Sequence, residues 1–278
     1  MLKQRILTAV ILGPLILWSV IAFSHRALAI EIGLILAVAA WEWARISGIN
    51  YQPGRIAYSA ILASAMLGLT LLIHTHGNYL QVVLWVVAAW WIIAFLIILF
   101  ENQHRQDQQV ITTGKLIINL FAGVVSLLGA FIAIVGLHQA PQYGYVFILM
   151  LLAFIWLADS AAYFSGKAFG KHKLAVHISP GKTWEGVMGA VVFTLIAAFI
   201  IGNVMQYPIG KNVMFMLVAL ITVMVSIVGD LFESLFKRRA GIKDSSQLLP
   251  GHGGFLDRID SLIAAAPVFL LGLVLAGI

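Results

Sequence analysis

The chain has 278 residues, of which 62% are hydrophobic and only 10% are charged, and it contains no cysteine. A soluble domain carries about 25% charged residues, so this composition excludes a water-soluble globule, and the missing thiols exclude disulfides and cysteine-based metal sites. The formal net charge of +6 is interpreted as a mark of membrane orientation, and nucleic acid is not expected as a partner.

Nine stretches are long enough to cross about 30 Å of hydrocarbon, which takes about 20 apolar residues. We expect all nine to be helical, because an open strand would leave its backbone groups unpaired in lipid. The predicted spans are residues 6–24, 27–46, 56–76, 80–100, 116–138, 145–165, 185–206, 212–236 and 258–278. The sequence therefore predicts an all-α, polytopic integral membrane protein with a single membrane domain over residues 1–278.

The first apolar run follows Lys3 and Arg5 and is similar to a signal peptide, with a cleavage-like "ALA" at residues 27–29. Apolar sequence resumes at once and continues to the end of the chain. We therefore interpret the run as an uncleaved first span, which Pro14 is expected to kink.

The lysines and arginines are distributed unequally between the two sets of loops that nine spans create. Fifteen lie on the side of the N-terminus, and two, Arg26 and Lys211, lie on the other side. Because basic loops stay in the cytoplasm, we expect a cytoplasmic N-terminus and an external C-terminus, in a bacterial inner membrane. The two long loops, residues 166–184 and 237–257, then face the cytoplasm and are the candidates for function.

The cytoplasmic end of the second span carries Trp41, Glu42 and Trp43. Tryptophans at such a position predict an interfacial aromatic belt. The alternative is that Glu42 faces a polar cavity.

Seven of the eleven acidic residues lie near four helix ends that meet the cytoplasmic face. They are Asp159, Glu185, Asp230, Glu233, Asp244, Asp257 and Asp260. A carboxylate that faces lipid is costly, so those inside spans should face a protein or water-filled cavity. The sequence therefore predicts a polar cavity open to the cytoplasm, with residues 141–278 carrying the site and residues 1–140 forming a scaffold with potential dimer contacts.

Carboxylates approach this cavity from three helix ends. Asp230 lies about 10 Å inward from Lys237, and Asp159 lies about 12 Å inward from Lys167. Asp257 and Asp260 are three residues apart at a helix start, where their carboxylates can converge on one point. A structural ion pair or a favourable helix N-terminus would explain any one acid alone. Convergence from three helix ends favours a Mg²⁺ site with phosphate as co-ligand.

Two glycine-containing segments indicate anion binding. In "SPGKTWEG", Ser179 is predicted to cap the seventh helix and Pro180 to occupy its first position, so that its N–H groups and Lys182 form an anion site. In "GHGG", glycines let main-chain N–H groups approach an anion closely. A P-loop is rejected, because Val176 stands where its first glycine would be.

The stretch "SLFKRRAGIKDSSQLLPGHGGFLDRID", residues 234–260, resembles the signature of phosphatidate cytidylyltransferases, also called CDP-diacylglycerol synthases. The signature positions are filled by Ser234, Lys237, Arg238, Lys243, Asp244, Ser246, Leu249, Pro250, His252, Gly253, Gly254, Asp257, Arg258 and Asp260. The upstream segments "ADSAAYFSGKAFGK" and "SPGKTWEG" are also similar to segments of this family.

The resemblance implies a helical, homodimeric membrane enzyme of phospholipid biosynthesis. It implies a reaction of CTP with phosphatidic acid that gives CDP-diacylglycerol and pyrophosphate, with Mg²⁺ as cofactor and a second cation left open. Metal ligation is assigned to Asp230, Asp257 and Asp260, with Asp159 as a fourth candidate. The expected catalytic residues are Asp257, Asp260, Lys237, Arg238 and Lys243. Substrate binding is assigned to Ser179, Lys182, Thr183, Ser234, Asp244, His252, Gly253, Gly254 and Arg258.

Two other classes of protein would also place acids inside membrane helices. An ion-coupled transporter predicts acids near the midplane on broken helices, whereas these acids cluster at one membrane face. Another metal-dependent lipid-phosphate transferase is the second alternative, but the Asp-Gly and Ala-Arg signature of CDP-alcohol phosphatidyltransferases is not found.

Overall fold

The computed structural model describes residues 2–72, 77–103, 112–141, 143–249, 251 and 253–278. Over these residues it contains nine α-helices and one two-stranded β-hairpin. The helices are α1 (Leu2–Ala22), α2 (His25–Ser47), α3 (Gln52–Leu72), α4 (Gly77–Glu101), α5 (Thr113–His138), α6 (Gly144–Phe169), α7 (Trp184–Val204), α8 (Ile209–Arg239) and α9 (Leu256–Ala276). The strands β1 (Lys173–Ala175) and β2 (Ser179–Thr183) lie between α6 and α7.

The predicted all-α membrane architecture is confirmed, and each predicted span coincides with one helix. Eight helices, α2 to α9, are long and apolar enough to cross a membrane. In α1 the apolar part found among the described residues, Val10–Ala22, is shorter. The chain is therefore an integral membrane protein.

The long loop after α6 contains a hairpin that the sequence analysis did not predict. Strands β1 and β2 pair antiparallel, with Lys173 opposite Thr183 and Ala175 opposite Ser179. The predictions that Ser179 caps α7 and that Pro180 occupies its first position were therefore wrong, because both residues lie in β2. Thr183 is the cap, since its Oγ1 accepts the Gly186 N–H at 3.1 Å. Serine and threonine are both favoured N-cap residues. Because Ser179 is paired in the hairpin, the helix begins only after Thr183.

Helix α8 is longer than a bilayer requires. Its 31 residues span about 46 Å at 1.5 Å per residue, against about 30 Å of hydrocarbon. Its last turn carries Lys237, Arg238 and Arg239. We infer that the C-terminal end of α8 reaches the membrane surface, where Arg238 and Arg239 are partly exposed while Lys237 is buried within the chain.

Helices α8 and α9 are in close contact at Gly229. A Cβ atom at this position would lie 2.6 Å from the Ala264 Cβ and 2.6 Å from the Asp260 carbonyl oxygen. Such distances are too short for any side chain, so glycine allows the approach. The contact places Asp230, the next residue of α8, beside the Asp260 turn of α9.

A buried aromatic cluster supports the same end of α8. The Phe232 ring is 1% exposed and lies 6.1 Å from the Trp43 ring, 5.8 Å from Trp90 and 5.9 Å from Trp91, measured between ring centroids. Trp43 donates its indole N–H to the Asn119 carbonyl oxygen at 2.9 Å. The expected interfacial belt is therefore wrong for Trp43, which packs in the core between α2, α5 and α8.

Candidate active site

A cavity of about 370 Å³ lies between α6, the β-hairpin, α7 and α8. Its polar lining includes Asp159, Lys167, Lys182 and Asp230. Its apolar lining includes Ala158, Ala162, Val187, Ala190 and Ile227. The cavity therefore offers both charged groups and hydrocarbon to a ligand, as an anionic lipid requires.

Lys182 and Asp230 form an ion pair inside this cavity. The Lys182 Nζ lies 2.7 Å from Asp230 Oδ2, and both side chains are partly exposed. Ser234, one turn further along α8, donates its hydroxyl to Asp230 Oδ1 at 3.3 Å. Asp159 on α6 is exposed and interacts electrostatically with both members of the pair. The structure thus brings Asp159, Lys182, Asp230 and Ser234 together, as the sequence analysis expected.

Lys237 forms the second charged centre and joins α8 to α9. Its Nζ donates to Glu233 Oε2 at 3.0 Å and to Asp257 Oδ1 at 2.6 Å. The Lys237 side chain is 9% exposed, Glu233 2% and Asp257 6%. At this burial, one lysine between two carboxylates is a structural necessity, because either acid alone would be a buried, unpaired charge.

Asp257 holds the loop that precedes α9. Its Oδ2 accepts the Gly254 N–H at 2.8 Å, the Ser245 N–H at 3.0 Å and the Ser245 hydroxyl at 2.9 Å. Gly253 has a φ of +83°, and a Cβ atom there would lie 2.9 Å from Asp257 Oδ2. The anion that binds the Gly254 amide in this structure is therefore a carboxylate of the chain itself.

Asp257 and Asp260 face different partners, although they are three residues apart. The Asp260 carboxyl group interacts with Asp230 and Glu233 of α8, and its Oδ1 accepts the Ser261 N–H at 2.6 Å. The expected convergence of the two carboxylates on one point is therefore not seen. Lys237 and Glu233 lie between them and connect them into one network.

Glu42 is the main member of this region that the sequence analysis did not assign to the site. It comes from α2 and is 0% exposed. Its Oε1 accepts the Phe255 N–H at 3.1 Å and the Ser246 hydroxyl. Its Oε2 accepts the Leu256 N–H at 2.6 Å and the Ser245 hydroxyl at 3.2 Å. Glu42 therefore binds atoms of the loop before α9 and is not among the residues that line the cavity, so the alternative that it faces the cavity is not supported.

The remaining candidates lie around this network. Arg238 donates from Nε to the Ile178 carbonyl oxygen at 3.2 Å and so joins the end of α8 to the hairpin. Lys243, Asp244 and Arg258 are exposed, Ser179 is partly exposed in β2, and Thr183 is buried at the cap of α7. Pro250 and His252 lie outside the described residues, so their predicted roles stay predictions.

The acids of the site are suited to a cation. Among the described residues, Lys182 pairs with Asp230, and Lys237 pairs with Glu233 and Asp257. The Asp159 and Asp260 carboxylates interact electrostatically with the same groups, and Glu233 Oε1 is buried with no hydrogen-bond partner in the described part of the chain. No group of three or more acidic or histidine side chains in the described part of the chain is spaced to hold a metal ion alone. Mg²⁺ usually takes one or two carboxylates together with substrate phosphates, so the donor set fits it in that form.

Comparison with known proteins extends these observations to the whole chain. The cytidylyltransferase family model matches residues 3–276. The phosphatidate cytidylyltransferase of Pseudomonas aeruginosa is 44% identical over 278 residues, which cover 100% of this chain and 98% of that protein. The protein of the same name from Haemophilus influenzae is 37% identical over 288 residues, with 97% of each chain covered. A third, from Bacillus subtilis, is 44% identical over 142 residues, which are 49% of this chain and 51% of that protein.

We predict that Lys237→Met destabilises the protein strongly. Methionine keeps the packing volume but leaves Glu233 and Asp257 buried without their cation, which typically costs about 3–5 kcal/mol of unfolding free energy. The measurement is the midpoint of thermal unfolding in detergent. Lys243→Met, which removes an exposed lysine from the adjacent loop, is the control and should leave the midpoint near that of the wild type. Equal midpoints for the two variants would contradict the bridging role of Lys237.

Proposed function

Because the chain belongs to the cytidylyltransferase family, we propose that it transfers the cytidylyl group of CTP to phosphatidic acid, giving CDP-diacylglycerol and pyrophosphate. The structural observation that carries the proposal is the cavity lined by both charged and apolar side chains. Phosphatidic acid combines a phosphate monoester with two acyl chains, and CTP is a water-soluble polyanion. A cavity at the end of the membrane helices is accessible to both.

The proposed reaction is an in-line substitution at the α-phosphorus of CTP. A non-bridging oxygen of the lipid phosphate forms the new bond to that phosphorus, while the bond from it to the oxygen of the β-phosphate breaks. Pyrophosphate leaves with the electron pair of that bond. The attacking phosphate monoester is already anionic near neutral pH, so no general base is required. Catalysis then depends on positioning two anions and on stabilising their charge.

The residues of the cavity have distinct proposed roles. Lys182, beside the cavity and paired with Asp230, would bind phosphate oxygens in place of part of that ion pair. Lys167 lines the same cavity and adds positive charge. The exposed Lys243 and Arg258 are proposed to contact the triphosphate from the loop side. Lys237 and Arg238 make contacts within the chain, so we propose that they act by positioning the loop and the hairpin.

Mg²⁺ is proposed as the cofactor, with Asp230 and Asp260 as its protein ligands and Asp159 as a further candidate. When bound, it would offset the negative charge of the triphosphate and of the departing pyrophosphate. Asp230 and Asp260 suit this role because the close α8–α9 contact at Gly229 brings the two residues side by side. The Asp257 oxygens already accept four hydrogen bonds from Lys237, Ser245 and Gly254, so its part as a ligand is the less favoured proposal.

The decisive experiment measures pyrophosphate release by purified protein in detergent micelles. We expect release to require both CTP and phosphatidic acid, with one pyrophosphate per CDP-diacylglycerol formed. Diacylglycerol, which lacks the attacking phosphate, should not replace phosphatidic acid. Chelation by EDTA should abolish the reaction and added Mg²⁺ should restore it. Absence of CTP-dependent product would refute the proposed activity, and full activity in EDTA would refute only the metal.

Lys182→Ala tests the proposed phosphate site. Loss of one hydrogen bond to a charged group should lower kcat/KM for CTP by about 10–150-fold, equivalent to about 1.5–3 kcal/mol. Lys173→Ala, which removes an exposed lysine from the same hairpin, is the matched control. Steady-state kinetics at varied CTP, with the unfolding midpoint of each variant, supply the comparison. If the two variants have equal kcat/KM, Lys182 does not bind the nucleotide.

The membrane orientation is proposed from the charge distribution described above. With fifteen lysines and arginines on one side, the hairpin and the loop before α9 should face the cytoplasm and Ile278 should lie outside. Reporter fusions at residue 243 and after Ile278 should give cytoplasmic and external signals, respectively. A cytoplasmic signal at Ile278 would be incompatible with this orientation.

The resemblance also suggests a homodimer. A measured mass in detergent that equals one chain would contradict this proposal.

A further inference from the structure

Helix α9 begins without a capping side chain of its own. The residue at its N-cap position is Phe255, which makes no side-chain hydrogen bond to the helix within the described part of the chain. The first N–H groups of a helix have no partner inside the helix and need an outside acceptor. The Glu42 carboxylate supplies it, with the Phe255 N–H at 3.1 Å and the Leu256 N–H at 2.6 Å.

The same carboxylate also holds the middle of the preceding loop. Each Glu42 oxygen accepts one backbone N–H and one hydroxyl, the hydroxyls being those of Ser245 and Ser246. Arg45, one turn further along α2, donates to the Ser245 carbonyl oxygen at 2.9 Å. Two residues of α2 therefore fix a loop that lies about 200 positions later in the chain.

Ser245 connects Glu42 to the charged network of the site. Its hydroxyl lies between Glu42 Oε2, at 3.2 Å, and Asp257 Oδ2, at 2.9 Å, while its N–H also binds Asp257. Asp257 in turn binds Lys237. A displacement of the loop at Ser245 would therefore move Asp257 and its lysine as well.

We propose that Glu42 is a positioning residue for the cytidylyl transfer. It holds the loop before α9 and the first turn of α9 in the geometry that catalysis needs, and it does so without contact with the reacting groups. It is not among the residues that line the described cavity. The inference rests on the proposed function, since catalysis is what the positioning serves.

Glu42→Gln is the sharpest substitution. Glutamine has nearly the same shape, but one of its two acceptor oxygens becomes an NH₂ donor. Because each carboxylate oxygen accepts a backbone N–H, the new NH₂ group must face one of these donors in either orientation. The loop or the start of α9 must then shift. The matched control is Glu31→Gln, the same change in the same helix near its opposite end.

We expect Glu42→Gln to lower kcat by about 10–100-fold, the range for partners that orient a catalytic group. The KM for phosphatidic acid, whose cavity is formed by other helices, should stay within about threefold of the wild-type value. Trypsin cleavage after Lys243 should become faster, which reports on the loop without any assay of activity. Glu31→Gln should match the wild type in all three measurements.

A double-mutant cycle with Ser246→Ala separates positioning from a general loss of stability. If Glu42 and Ser246 act through one network, the fold-decrease in kcat that Ser246→Ala causes should be at least about threefold smaller in the Glu42→Gln variant than in the wild type. All rates are expressed per folded protein, measured by size-exclusion chromatography in detergent. If Glu42→Gln does not fold, Ser246→Ala alone should still lower kcat and speed cleavage after Lys243.

Three results would overturn the inference. The first is an unchanged kcat per folded protein in Glu42→Gln. The second is a double variant whose loss of kcat equals the product of the losses in the two single variants. The third applies if Glu42→Gln does not fold, and it is a Ser246→Ala variant with wild-type kcat. Each of these leaves the wild type active, so the proposed function survives. An inactive wild-type protein and an inactive Glu31→Gln control would instead refute the proposed function.

Discussion

The charged end of this membrane protein depends on how the backbone N–H groups of one loop are satisfied. Buried N–H groups need acceptors, and two carboxylates provide them here. Asp257 accepts those of Ser245 and Gly254, and Glu42 accepts those of Phe255 and Leu256. The loop before α9 is thus folded around two negative charges instead of a strand or helix ladder. Its serines and glycines suit this arrangement because they let these carboxylates approach the backbone closely.

Charge balance then links this loop to the helices. Lys237 compensates Asp257 and Glu233, and Lys182 compensates Asp230. The α8–α9 contact at Gly229 places Asp260 in the same group of acids. Negative charge therefore exceeds the positive charge in direct contact with it among the described residues. In a chain with so few charges, this excess is the feature that the proposed Mg²⁺ would offset.

The sequence was sufficient for those features that a single helix determines. The spans follow from hydropathy, because lipid forces apolar segments to be helical. The pairing of Asp230 with Ser234, and of Glu233 with Lys237, follows from a spacing of four. The part played by Glu42 could not be predicted, since its partners lie more than 200 positions away. The hairpin was also missed, because its strands have only three and five residues and the longer one contains Pro180 and Gly181, so they show no clear alternation.

The capping of α9 by a residue of α2 has a consequence for biogenesis. Chains are synthesised from the N-terminus, so Glu42 enters the membrane long before Phe255 and Leu256 exist. Until the last helix is inserted, its carboxylate lacks the partners that compensate its burial in the finished protein. Insertion of α9 therefore supplies the hydrogen-bond donors that the Glu42 carboxylate of α2 needs. A chain interrupted before α9 would therefore retain this carboxylate without the backbone N–H groups of Phe255 and Leu256.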